Sequence, residues 1–436
     1  MTGKAFSPLA ATAVIVANMV GTGVFTSLGF QLVGIQSGFV LLMLWAVGGV
    51  IALCGAMSYA ELGAALPRSG GEYNFLTRIY HPALGFISGW VSATIGFAAP
   101  TALAAITFAT YLSSVFPALP VTALAAALVI ALTVVHSTDR RRSGAAQVVL
   151  TVLKVAIILG FSVLALVRVT EPQPLAFSPV AGDAALLFGA DFAVSLIYVA
   201  YAYTGWNAAT YLSGELDNPQ RHLPRVLAGG TLLVALLYVL LNWIFLRSAP
   251  ASALVGQLEV GYIVAQYSFG ARGGDAMGVV LALLLVSTVS AMIVAGPRVL
   301  QVIGQDFHPF RVLARCNRHG VPVVAIASQA LISVVFIVTS TFDAIVVFAG
   351  FTLALNSFLT VLGLFVLRWR RPELDRPYRT TGYPLVPLIY LGLTGWTLWF
   401  VLSERPLEAL VGLALFSTGG LIYALSRRAG ASPAGP

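Results

Sequence analysis

The sequence predicts an all-α integral membrane protein of about twelve transmembrane helices, built as two five-helix repeats of opposite orientation followed by two more helices. Three observations carry that prediction. Of 436 residues, 58% are hydrophobic and 9% charged, whereas soluble domains carry about 25% charged residues, and the mean hydropathy is +0.91. Apolar runs of about 20 residues, enough to cross a bilayer, recur along the whole chain. Two of these runs, the first and the sixth, are interrupted near their middles by glycine and polar residues.

The runs fall at 8–32, 39–63, 83–112, 121–137, 145–167 and 184–213, then at 225–247, 274–301, 321–339, 342–367, 384–402 and 407–426. With the N-terminus inside, nineteen Lys and Arg residues face the inner side, among them Lys4, Arg68, Arg140 to Arg142, Arg221 and Arg368. Four face outward: Arg168, Arg247, Arg272 and Arg405. This bias places both termini in the cytoplasm, and it accounts for the net charge of +8 as orientation. No nucleic-acid partner is needed. The expected setting is a multi-pass protein of the cell inner membrane with the lipid bilayer around it. The domain reading is one transport unit over 1–436: a first repeat in 1–170, a second in 184–368, helices 11 and 12 in 384–426, and a tail in 427–436.

Several function classes are disfavoured. The loops are too short for a soluble catalytic domain, and the outer segments 168–183 and 248–273 are rich in Pro, Gly and small residues. Cys54 and Cys316 form neither a disulfide framework nor a metal-ligand spacing. The histidines (His81, His136, His222, His308 and His319) fall at cytoplasmic helix ends or loops without paired spacing. No enzyme, metal site or cofactor is expected. A channel would need a continuous polar lining, and only local breaks are present. The first apolar run extends past a signal-peptide core, so it is expected to stay in the protein.

The first break runs from Asn18 to Phe25, with Gly21 and Gly23 flanking Thr22. Glycine costs about 1 kcal/mol per helix position relative to alanine, and in lipid the exposed backbone groups must find partners. A small-residue packing patch would explain one such stretch. The second break, Tyr201 to Asn207, makes that explanation insufficient. Helix 1 opens the first block of five spans and helix 6 opens the second, and an odd block length inverts the repeat. Interrupted helices at corresponding positions point to a midplane binding site in a transporter.

At this point the chain resembles the amino acid–polyamine–organocation transporter superfamily, within it the bacterial relatives of the L-amino-acid transporters. The first break is similar to that family's Gly-Ser/Thr-Gly-Ile/Val-Phe pattern. Tyr59 to Gly63 with Pro67 to Tyr73 resembles its helix 2–3 signature. Tyr201 to Asn207 and Gly214 to Arg225 resemble the helix-6 break and the loop after it, and Arg368 to Glu373 with Arg376 to Arg379 the loop after helix 10. The resemblance implies the LeuT-type fold and secondary transport of amino acids by alternating access, without sodium. Neutral L-amino acids are the expected substrates, moved by exchange or by proton-coupled symport; the alternative is a cationic amino-acid or polyamine antiporter. The walls from helices 3, 8 and 10 show no acid, and Thr204 stands where the family tolerates one, so the neutral reading is preferred.

Roles follow from backbone chemistry. The N–H groups of Thr22 and Gly23 start the outer half-helix, whose partial positive charge suits a carboxylate. Open carbonyls of Met19, Val20, Tyr201 and Thr204 would accept from an α-ammonium, with Gly21 and Gly205 allowing the breaks. By resemblance Tyr201 is the outer gate. Asn18 and Asn207 are expected to bridge the broken backbones.

Lys154 lies within the fifth span, about 15–18 Å from the Arg142 cluster at 1.5 Å per residue. A lysine at such depth costs roughly 2.5–3.5 kcal/mol on insertion scales. By resemblance it takes the place of a cation held between helices 1 and 8 in sodium-dependent members, meeting carbonyls near Ala17 and Val20 and the hydroxyls of Thr288 and Ser290. Glu61 and Glu215 are read as gate or capping ion pairs near Arg68 and Arg221, and Asp191 as an outer-vestibule residue without a role. The outer segment Ser113 to Thr122 lacks the cysteine that tethers a glycoprotein in animal relatives, so no heavy-chain partner is expected.

Overall fold

The computed structural model describes residues 8–68, 70–138, 144–169, 172–210, 216 and 218–428. Lys4, Ser69, the Arg140 to Arg142 cluster, Gly214, Glu215, Asp217 and the tail beyond 428 lie outside these. Among the described residues every regular element is helical.

The first span is two helices, α1 (Pro8–Met19) and α2 (Gly23–Gly34), separated by the bend at Val20 to Thr22. Then come α3 (Gly38–Ala65), the short α4 (Glu72–Ile79), α5 (Pro82–Val91), a π-helical turn (Ser92–Gly96) and α6 (Ala98–Val115). Next are α7 (Val121–His136), α8 (Gly144–Arg168), α9 (Asp183–Leu187) and α10 (Ala190–Tyr203). The rest is α11 (Pro219–Ser248), α12 (Ala251–Leu254), α13 (Val260–Asp306), α14 (Val323–Thr339), α15 (Phe342–Arg370), α16 (Leu385–Glu404) and α17 (Pro406–Arg428).

Among the described residues eight helical stretches are long and apolar enough to cross a membrane, and α7, α10 and α14 are shorter apolar helices. The starts follow local chemistry. Ser37 accepts from the Val40 N–H at α3, and Thr341 from the Ala344 N–H at α15, each satisfying one orphan donor of a helix N-terminus. Pro82 opens α5 where its missing N–H is harmless.

Two segments read as loops are helical. Within 248–273, α12 and the first ten residues of α13 precede a kink at Gly270 (φ 77°). Between the second and third spans, α4 is an eight-residue helix with polar and apolar faces.

The densest packing forms two groups, which meet through α15, packed against α10 and α3 as well as α4. The α1 helix lies along α11, α11 along α3, and α3 touches α10. Separately, α6 lies along α13 with α14 against both, while α4 joins α5 to α15. Between α3, α10 and α11, buried Trp45 meets Tyr238 edge-on at 5.6 Å, and Tyr203 packs on Tyr238 at 5.1 Å. Trp45 donates to Gln31 Oε1 at 3.0 Å, and Tyr203 to the Trp45 carbonyl at 3.1 Å.

Candidate substrate site

The two breaks close on each other. A Cβ at Gly23 would stand 2.4 Å from the Ala202 Cα, and one at Gly205 would stand 2.8 Å from the Asn18 Cβ. Gly205 also has φ +106°, a conformation other L-residues rarely adopt. So each break carries a glycine because the backbone of the other half occupies the side-chain space.

Tyr238 of α11 ties the two helix ends together. Its hydroxyl donates to the Met19 carbonyl at 2.6 Å and lies 3.1 Å from the Ala202 carbonyl. The Met19 carbonyl also accepts from the Gly21 N–H at 2.8 Å, and the Tyr201 carbonyl from the Thr204 N–H at 2.9 Å. The Val20 carbonyl faces the Lys154 ammonium at 3.4 Å. The carbonyls of Met19, Val20 and Tyr201, expected to be open, are therefore occupied by protein groups. The amides behave differently. Neither the Thr22 nor the Gly23 N–H has an acceptor among the described residues. They stand at the N-terminus of α2, where helical donors go unpaired.

These groups border a cavity of about 150 Å³, the size of an engineered protein cavity that admits benzene. Met19, Gly21, Thr22, Gly23, Tyr201, Thr204, Gly205 and Thr288 line it, whereas Val20, Ala17, Lys154 and Ser290 do not. Asn18 and Asn207 line it as well, and Asp191 does not. At one end of the cavity the Tyr201 hydroxyl pairs with Thr22 Oγ1 at 3.0 Å. Beyond it Phe30 stacks on both Tyr198 and Phe342, each at 5.7 Å. The Tyr198 hydroxyl donates to Asp343, which also takes Arg405 at 2.5 Å. Arg405 lies between α16 and α17; burial works against its charge, but Glu408 and Asp343 hold its pKa above the ordinary arginine value.

Lys154 is 4% exposed and sits beside the first break. Its ammonium donates to Thr288 Oγ1 at 2.8 Å in addition to the Val20 carbonyl. Ser290 is elsewhere: its hydroxyl pairs with His136 Nε2 at 2.7 Å. Two residues on a helix lie about 200° apart, so Thr288 and Ser290 face different neighbours. Lys154 makes no hydrogen bond to Ala17 either, which lies in the last turn of α1.

The opposite end, beside α4, holds what the sequence reading missed. Glu72, the first residue of α4, is 3% exposed and lines the cavity. It accepts from the Tyr59 hydroxyl at 2.5 Å, the Ser357 hydroxyl at 2.8 Å and Asn207 Nδ2 at 3.4 Å, and also from Asn356. An acid thus reaches the cavity from a short helix outside the spans. The π turn was missed too: Ser92, Gly96, Phe97 and Pro100 line one wall, and π turns recur at functional sites. Pro100, four residues after Gly96, cannot donate back to it. That spacing was the available signal.

Two more inner networks lie nearby. Glu61, fully buried, pairs with Arg368 at 2.7 Å and Arg376 at 3.6 Å, and accepts from the Thr380 N–H at 2.7 Å. The expected Arg68 contact is not made. Arg68 instead lies 3.8 Å from Asp306, which accepts from the Tyr73 hydroxyl at 2.5 Å. Burial and the Asp306 carboxylate both push the Tyr73 hydroxyl pKa up.

Two interrupted helices around one cavity agree with comparison to known proteins. The amino acid permease profile matches residues 6–418. The chain belongs to the amino acid permease family. It is similar to the large neutral amino acids transporter small subunit 2 of Mus musculus, at 27% identity over 97% of this chain and 81% of that protein. It is also similar to the b(0,+)-type amino acid transporter 1 of Homo sapiens, at 28% identity over 96% and 87% of the two chains. The Asc-type amino acid transporter 1 of Mus musculus gives 29% identity over 97% and 81%. This permease is a multi-pass membrane protein.

Proposed function

We propose that this permease is a sodium-independent secondary transporter of neutral L-amino acids that works by alternating access in the cell inner membrane, as an exchanger or a proton-coupled symporter. One observation carries the proposal: the unpaired Thr22 and Gly23 N–H groups, at the positive end of α2, open into a cavity walled by both breaks. They suit the substrate carboxylate. Gly21 and Gly205 shape the same pocket beside Met19 and Tyr201, and the Thr204 carbonyl, which no protein donor takes among the described residues, supplies its negative side. Tyr201 is the outer gate, and Lys154 stands in for a coupling cation next to Thr288.

The architecture proposed is twelve spans in a LeuT-type fold, with 1–170 and 184–368 as inverted repeats, 384–426 as added helices and both termini inside. The names of the relatives support amino acids as the substrate class. No heavy-chain glycoprotein is required. Glu72 favours a second reading, a cationic amino-acid or polyamine antiporter, because it brings a carboxylate to the cavity. Neutral donors already surround that carboxylate, which keeps the neutral reading first.

The test is uptake of a labelled amino-acid panel into proteoliposomes, with and without sodium and preloaded substrate. Saturable, trans-stimulated, sodium-independent uptake of neutral amino acids is expected. A requirement for sodium would overturn the assignment of Lys154, and preferential uptake of arginine or polyamines would favour the second reading.

A further inference from the structure

Glu72 does more than close the cavity floor. Its donors come from both packing groups. Tyr59 belongs to α3, and Asn207 to the turn after α10, while Asn356 and Ser357 belong to α15, which packs with α4 itself. The bonds to Tyr59 and Asn207 therefore span the two groups at the cytoplasmic end of the cavity. Opening that end must break them.

A second observation concerns Asn356. The residue is fully buried, its Nδ2 donates to Glu72 Oε2, and its Oδ1 has no partner. An orphaned buried acceptor is costly and calls for an explanation. Turning the amide over would present Oδ1 to Oε2, where it could accept a hydrogen bond only from a protonated carboxyl. One amide can thus serve either protonation state of Glu72.

We propose that Glu72 is the proton-binding residue of a proton–substrate symport, and that its protonation releases the inner gate. The inference rests on the alternating-access reading above. Water in the outward-open cavity gives a proton to Oε2, and Asn356 turns to accept it. The carboxyl becomes neutral, and bonds to an ionised acceptor are roughly twice as strong as those to a neutral one. The Tyr59 and Asn207 bonds weaken, the floor opens, and the proton leaves Oε2 for cytoplasmic water with the substrate. The titratable groups facing Glu72 include Tyr59 of α3 and Tyr390 of α16. Tyr73, Asp306 and Arg68 form the neighbouring cluster on the cytoplasmic side.

The experiment uses the full chain in proteoliposomes with a neutral amino acid from the uptake panel and a trapped pH dye. Coupling of one proton per substrate accumulates substrate up to about tenfold per unit of pH gradient, acid outside. Wild type should show this accumulation, with acidification of the lumen as substrate enters. Glu72→Gln, whatever its exchange rate, should show an accumulation ratio near one and no dye response. Should that variant fail to fold, Asn356→Leu, which removes the amide that accepts the proton, should lose the dye response instead, and an unchanged response overturns the proposal. Trans-stimulated exchange without proton movement overturns this proposal and leaves the transport reading standing. Full accumulation by Glu72→Gln overturns it too, because the proton then binds elsewhere. Absence of saturable flux in wild type overturns both.

Discussion

Lys154→Ala is the substitution whose cost the structure allows to be worked through. Removing the ammonium strips a partner from two groups, the Thr288 hydroxyl at 2.8 Å and the Val20 carbonyl at 3.4 Å. They do not lose equally. A threonine hydroxyl inside a helix can turn back to a carbonyl of its own preceding turn, as neighbouring Ser287 does to Leu284. The Val20 carbonyl has no such recourse, because it lies in the bend where α1 has ended. A buried group left unpaired costs about 1–3 kcal/mol. Spent on holding the first break in its binding shape, that converts to a roughly five- to 150-fold loss in transport rate. Thr288→Val, which leaves the bond to Val20 in place, should cost less. The assay is initial-rate counterflow in proteoliposomes, normalised to reconstituted protein. A Lys154→Ala rate within about twofold of wild type, or a larger loss in Thr288→Val, would refute the reasoning, since the free energy assigned to the Val20 carbonyl would then be missing.

Other expectations concern the seam, the gate and the inner ion pair. Gly23→Ala and Gly205→Ala force a Cβ into backbone at 2.4 Å and into Asn18 at 2.8 Å, so both should lose nearly all counterflow. Gly160→Ala, with open space around it, should not. Tyr201→Phe deletes the 3.0 Å bond to Thr22, a neutral pair worth about 0.5–1.5 kcal/mol; an approximately two- to tenfold rise in KM is expected from concentration-dependent uptake. Arg368→Ala strips the bidentate partner from buried Glu61, leaving Arg376 at 3.6 Å. Breaking a buried pair costs about 3–5 kcal/mol, so the variant should lose its monodisperse gel-filtration peak at a lower temperature than wild type.

Legibility in the sequence tracked hydrophobic length. The run read at 342–367 is α15, Phe342–Arg370, and the run at 39–63 is α3, Gly38–Ala65. Both breaks could be located because glycine in an apolar span is costly enough to need a reason. What could not be read depended on tertiary contacts. Ser290 was grouped with Thr288 because two polar residues lay close in sequence, but helical geometry turns them to different neighbours. Tyr238 gave no signal, being one aromatic in an apolar helix, although its hydroxyl joins the two breaks. Glu72 was hidden for a different reason. It opens an eight-residue helix with polar and apolar faces, so a search for apolar runs passes over it, and its neighbours Arg68 and Arg78 make the stretch read as a cytoplasmic loop.

The two ends of the cavity are sealed by different physics, and that difference bears on which end can sense a chemical state. Outside, the closure is mainly a ring stack, Phe30 between Tyr198 and Phe342, with the Tyr201–Thr22 bond beneath it. Ring contacts are weakly directional and worth about 0.5–1.5 kcal/mol a pair, so such a layer parts and reseals gradually. Inside, closure converges on one carboxylate with donors from α3, α15 and the turn after α10. Its strength depends on charge: hydrogen bonds to an ionised acceptor contribute about 1.5–3 kcal/mol, neutral ones about 0.5–1.5. Adding one proton to Glu72 therefore weakens several bonds at once, whereas at the other end Asp343 holds only the edge of the stack, through the Tyr198 hydroxyl and Arg405. Under the proposed symport a proton gradient acts on this permease through Glu72, which lines the cavity, while the Glu61–Arg368 pair ties α3 to α15 outside it.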